Sequence, residues 1–276
     1  MSLLSEETEV FEAAPGQRCA VVFLVRRRTP APGDTGRTAA ALGAELDALR
    51  AEGWWLSVDR ILDGERPDGG EPAEASPGER TEDARAAPCR DVPAGTESTR
   101  AAPHRDVPTV YATGFSHDVD YVGMFEAPSP SSALAGTRRL EEAGWSRVFR
   151  TAWLLGQREF LPVVGPASRR EDEWAFFALW SWNSAWQAAT AQQRRAYDEE
   201  CDVAFAADVR DGAAITGRHR LDGASRWDHI GVWRVPGVAM VDRAMREHAR
   251  VADFKFTTSR HYIGRRTRLD DALRRK

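Results

Sequence analysis

One order of hydrophobic periods occurs twice along this chain, and that repetition limits the possible folds more than any other feature. CAVVFLVRR (19–27) reads as a strand and TAAALGAELDALRAEG (38–53) as an amphipathic helix ending in Gly53, while WWLSVDRIL (54–62) is extended or helical. TVYATGFS (109–116) and DVDYVGMFEA (118–127) form a hairpin-like pair, PSSALAGTRRLEEAG (130–144) a helix closed by Gly144, and WSRVFRTAWLLGQREF (145–160) a long strand. The second half repeats the order. EWAFFALWSW (173–182) is a strand, 185–209 is helical, AAITGRHRL (213–221) pairs with RWDHIGVWRV (226–235), VAMVDRAMREHAR (238–250) is a helix, and DFKFTTSRHYIGRR (253–266) is the last strand. Each half is therefore β-α-β-β-α-β, the ferredoxin-like order.

Two such halves each carry one apolar sheet face, and packing those faces together with helices outside satisfies both. The expected fold class is α+β, two tandem ferredoxin-like halves forming a dimeric α/β-barrel-type domain. The halves span 18–165 and 170–268, and the natural small-molecule site lies between a sheet and its own helices. Within the first half, 63–108 is rich in Gly, Pro, Glu, Asp and Arg and contains the near-duplicates RAAPCRDVP (85–93) and RAAPHRDVP (100–108). It cannot bury enough surface to offset its ordering entropy and reads as a mobile insertion. Cys89 and His104 occupy the same place in the two copies, as drift after duplication would leave them. Residues 1–17 read as a disordered N-terminus and 269–276 as a basic tail.

The apolar content of 42% fills a core, and a formal net charge of −4 lacks the basic field that nucleic-acid binding needs. No run of 18 apolar residues and no signal-peptide pattern appears, so neither membrane nor nucleic acid is an expected partner and the expected location is cytoplasmic. Three cysteines, widely spaced and without CxxC, indicate neither a disulfide framework nor a zinc site.

The run EWAFFALWSWNSAWQAATAQQRRAYDEEC, then DVAFAADVRDGAAITGRHRL and a closing RHYIGRR, resembles the chlorite dismutase superfamily, which includes coproheme decarboxylases. DVDYVGMFEAPSPSSALAG is similar to that family's first-half hairpin and helix, so the resemblance covers roughly residues 105 to 266. It implies haem b, a small-molecule substrate and a homo-oligomer, pentamer or dimer. The family's haem-side Trp, fifteen residues before its axial ligand, falls on Trp186; counting from the matching QQRRAYDEE start puts the axial position, a His in the family, on Cys201. The distal Arg or Gln, thirteen residues beyond, falls on Ala214, and the reactive Tyr of the decarboxylases, twenty-seven before, on Trp174. The acid beside the axial His falls at about Arg250.

A carboxylate beside a thiolate would raise the thiol pKa, whereas an arginine lowers it. Cys201 and Arg250 together are thus consistent with a thiolate ligand, which pushes electron density onto haem iron. Tyr197, Cys201 and Phe205 share one helix face by their i, i+4, i+8 spacing, so Cys201 is expected to point inward. The bland alternative is a small buried hydrophobe. His219, His229 and His261 sit on predicted strands, where one could serve as general base or distal acid, or be a core or solvent residue. His117 and His248 read as a turn residue and a helix-surface residue. The arginines of GRHR and SRHYIGRR are candidates for holding a carboxylate, or a solvated strand face. The expected activity is a haem-dependent oxidation, dehydration or rearrangement of an organic molecule, with chlorite decomposition and coproheme decarboxylation lost. The alternative is a haem-free barrel binding or transforming an aromatic or carboxylate ligand.

Overall fold

The computed structural model of the chain describes residues 18–29, 35–64, 107–114, 116–221, 223, 225–251 and 253–274. The N-terminal segment 1–17 and most of the insertion, with Cys89 and His104, lie outside the described residues. The described residues make one unit.

The first half runs β1 (Cys19–Arg27), α1 (Thr35–Ala51), α2 (Val58–Asp63), β2 (Thr109–Ala112), β3 (Tyr121–Ala127), α3 (Pro130–Glu142), α4 (Trp145–Val148) and β4 (Phe149–Arg158). The second runs β5 (Val163–Val164), β6 (Trp174–Trp182), α5 (Ser184–Ala188), α6 (Ala191–Arg210), β7 (Ala214–Ile215), β8 (His219–Arg220), β9 (His229–Val235), α7 (Val238–Arg250), α8 (Asp253–Phe256), β10 (Thr257–Arg268) and α9 (Leu269–Arg274). The expected α+β class, a large antiparallel sheet with helices, is what the structure shows.

Among the described residues ten strands form one sheet in the order β5-β7-β9-β6-β10-β2-β3-β1-β4-β8, and β8 also pairs with β9. That last pairing closes the sheet into a barrel and removes exposed edges from the circuit. Each half contributes its ferredoxin-like order, β4-β1-β3-β2 and β10-β6-β9, and the halves are stitched by β2 on β10 and β4 on β8. Strand alternation then sorts the side chains. Val21, Phe23 and Val25 of β1 face outward under α1 and α3, while Ala20 and Val22 join Met124, Phe177, Leu179 and Val232 inside the barrel. Both faces of β1 are covered, which is why CAVVFLVRR is a continuous apolar run rather than an alternating one.

The predicted helix 185–209 is two helices. Thr190 caps α6: its hydroxyl accepts from the Gln193 amide N–H, and the Gln193 side chain accepts from the Thr190 N–H. Gly144, at φ 111°, turns the chain so that Trp145–Val148 makes a helical turn before β4 begins. The segment expected as a basic tail is instead α9 through Arg274, with Leu269, Ala272 and Leu273 buried in the first half's core. Among the described residues no helix is long and apolar enough to cross a membrane.

Candidate functional site

Beyond its barrel-facing residues, β6 presents Phe176, Ala178, Trp180 and Trp182 to the other side, where β9 adds Gly231 and Trp233 and β10 adds Thr257, Ser259 and His261. Against this sheet wall lie α6, through Tyr197, Cys201 and Phe205, and α7, through Met245 and His248. Between the two walls is a cavity of about 800 Å³, the size and aromatic lining of a small-molecule site. Asp198 and Asp202 of α6 stand exposed on its lining, as do Phe160, Leu161 and Val163 from the chain between β4 and β6.

Cys201 lines this cavity and is 7% exposed. It shares a hydrogen bond with the Tyr197 hydroxyl, which donates to Asp253 Oδ1 at 2.5 Å. The other Asp253 oxygen faces His248 Nδ1 at 3.1 Å, and His248 Nε2 lies 2.9 Å from Asp208 Oδ2. A continuous, largely buried chain therefore runs from the thiol through Tyr197, the partly exposed Asp253 and His248 to Asp208. Burial pushes the Cys201 thiol up to about 12, and the charges of Asp253, Asp198 and Asp202 add to that effect. Burial and Asp253 likewise push the Tyr197 hydroxyl far above the ordinary tyrosine range. Without a metal, Cys201 should alkylate with iodoacetamide far more slowly at pH 8 than a free thiol. Equal rates would show that the thiol is not held protonated.

Burial alone would discharge His248, but its two carboxylate partners outweigh burial and raise it from its ordinary 6.5 to about 9. A histidine whose folded value is raised stabilises the fold fully below its unfolded value and loses that contribution as pH rises through the folded one. Urea unfolding of wild type and His248→Gln should therefore show a stability gap that is widest near pH 6 and shrinks between about pH 6.5 and 9. A gap that grows with pH would contradict the charged form.

Of the residues expected at the site, Tyr197 and Cys201 reach the cavity together. Trp186 stacks on Trp182 (centroids 4.1 Å apart) under the guanidinium of Arg194 and does not line the cavity. Trp174 is half-buried against the core beneath α7, also outside the lining. Ala214 points into the barrel, and its neighbour Ile215 takes the cavity wall, since one residue of strand register exchanges the faces. Ala214 is thus not the open distal position.

Arg250 is a correction of the same kind. It lies at the exposed end of α7 in an ion pair with Glu247 at 2.8 Å. Met240, Val241, Ala244 and His248 form the buried face of that helix, and two residues past His248 is about 200° further round. The α7 cation beside the cavity is His248, not Arg250, and the reading of His248 as a surface residue is overturned by its 1% exposure. The 241, 244, 248 spacing carried that signal.

His219 and His229 are not in the cavity lining. His219 is fully buried, with Nε2 3.2 Å from Glu126 Oε1. His229 stacks on Trp180 with Nε2 3.5 Å from Glu159; burial, then Arg218 and Arg220, lowers it to about 3, so it is neutral. His261 does line the cavity. His117 lines a separate pocket of about 300 Å³ with Asp118, Arg260 and Tyr262, which His261 also borders. Among the candidate arginines only Arg218 lines the large cavity, tied to Glu159 at 2.6 Å; Arg260, Arg265 and Arg266 pair with Asp118, Glu173 and Asp59 elsewhere. Among the described residues no three His, Cys, Asp or Glu side chains cluster to hold a metal ion.

A closed barrel of tandem ferredoxin-like halves, with an aromatic cavity between the second sheet and its helices, defines the class: a chlorite dismutase-like fold. Chlorite dismutase from Candidatus Nitrospira defluvii is among the solved proteins to which it is similar in structure. A single-residue mutant of that enzyme aligns with TM-score 0.64 at 11% identity, covering 93% of this chain and 94% of that one. The same enzyme in complex with imidazole gives TM-score 0.62 at 10% identity, covering 94% and 95%, and a mutant in complex with cyanide gives 0.60 at 10% identity over the same shares. No protein-family model and no curated protein matches the sequence. The likeness is one of fold.

Proposed function

We propose that the cavity holds haem b with Cys201 as iron ligand, in a haem-dependent oxidoreductase acting on a small organic molecule. The observation that carries this is the place of the Cys201 sulfur, on the α6 wall of an aromatic cavity of about 800 Å³. The donor set fits. Porphyrin supplies four iron ligands, so haem needs one or two from the protein and no three-residue cluster. The aromatic faces of Trp180, Trp182, Phe176 and Trp233 suit a flat apolar ring. Bound haem would supply redox chemistry, with a thiolate feeding electron density to iron.

The chain's own residues set the conditions. Burial and the nearby carboxylates favour the protonated thiol, and haem iron, if bound, would supply the positive charge that favours the thiolate, with the proton released to solvent. Tyr197 gives its one hydroxyl proton to Asp253 and can only accept from the thiol, and His248 supplies the positive charge that was expected from Arg250. Arg218, already committed to Glu159, is among the described residues the single guanidinium on the lining and would meet one propionate. A homo-oligomeric assembly is part of this proposal and is read by light scattering.

Titration of the purified protein with haemin, followed by reduction under carbon monoxide, tests the reading. A stoichiometric Soret band with the red-shifted carbonyl absorption of thiolate ligation supports it; the band of a neutral ligand removes Cys201, and no Soret band removes haem. A second reading has its own support: Asp198, Asp202 and Asp253 make the lining acidic, which suits a neutral or cationic organic ligand bound directly in a haem-free site. Tryptophan quenching by such ligands in protein that takes up no haemin would select it.

A further inference from the structure

We infer that His261 is the second iron ligand of this site, reaching from the sheet wall toward the thiolate supplied by α6. The inference rests on the haem reading of the cavity. The donors of the lining are unevenly shared between its walls. Asp198, Asp202 and Cys201 belong to α6, Met245 and His248 to α7, and Asp253 is engaged by Tyr197 and His248. Among the described residues the sheet wall is otherwise aromatic or aliphatic apart from two hydroxyls, and His261 is its one side chain of a type that binds haem iron.

The state of the ring suits that role. His261 is half-buried between Phe176, at 4.9 Å between centroids, and Phe254, at 6.0 Å. Among the described residues neither ring nitrogen has a hydrogen-bond partner, in contrast to His248, whose nitrogens both face carboxylates. An imidazole with no second group to fix its tautomer is a weaker, more readily displaced ligand than a buttressed one. An incoming organic molecule would then have to displace His261 from the iron. His261 donates a lone pair to iron and is neither oxidised nor reduced.

The test is the ferric protein reconstituted with haemin, read by absorption and electron paramagnetic resonance. Wild type should be six-coordinate and low-spin. His261→Ala and the near-isosteric His261→Gln should both become high-spin, and added imidazole should return His261→Ala to low-spin. Their ferrous carbonyl spectra should keep the thiolate signature, showing that the site is intact. A wild type already five-coordinate, or variants that stay low-spin, overturns the assignment of His261 while leaving Cys201 standing. Absence of any Soret band defeats the haem reading, and His261 with it.

Discussion

Glu126→Ala should destabilise the fold by about 3–5 kcal/mol, the loss found when one partner of a buried charge network is removed. Glu126 is fully buried, and its carboxylate receives Nε and Nη2 of Arg158 at 2.9 and 2.5 Å, Nε of Arg18 at 3.2 Å and the His219 ring at 3.2 Å. These partners come from β1's approach, from β4 and from β8, so the network fastens the strands where the second half closes onto the first. Arg158, 8% exposed, would lose that carboxylate with little water to replace it. Glu126→Gln keeps the shape and part of the hydrogen bonding and should cost less. Burial opposes the Glu126 charge, but His219, Arg158 and Arg18 outweigh it and hold the carboxyl below the usual glutamate range. Its contribution is present at neutral pH and is lost only as pH falls through that depressed value. Urea midpoints at constant m-value measure all of this; a Glu126→Ala loss under about 1 kcal/mol would mean the network is not under strain of burial.

Cys201→Ser should weaken haemin binding by more than about 100-fold, since loss of a group that merely supports a metal ligand already costs 10- to 100-fold. The hydroxyl keeps the hydrogen bond to Tyr197 and nearly the volume, so the apo fold should hold its stability within about 1 kcal/mol. Haemin titration of the variant beside its urea curve separates the two effects. Unchanged haemin affinity would place the iron on another residue.

The order of elements was legible because periods and breakers agree along most of the chain. β1 and α7 have the boundaries their hydrophobic patterns predict, and the paired strands 109–127 carry their turn signals with them. The barrel's closure through β8 was not legible: a two-residue strand pairing with both β4 and β9 leaves no period to read. The site was half legible. Spacing on α6 put Tyr197 and Cys201 on one inward face, and the structure places both on the cavity. Positions carried over by counting between elements failed by small displacements, Ala214 for Ile215 and Arg250 for His248. In a strand one residue, and in a helix two, are enough to turn a side chain to the opposite face. The polar chain from Tyr197 to Asp208 joins α6, α7 and α8, and only tertiary packing could bring those residues together.

Resonance Raman spectroscopy of the haemin-loaded ferric protein, grown with heavy-sulfur cysteine, tests sulfur ligation at the iron most directly. An iron–sulfur stretching band that moves to lower frequency with the label, and vanishes in Cys201→Ser, is the expected result. A spectrum with no label-sensitive band would contradict the assignment of Cys201 to the iron.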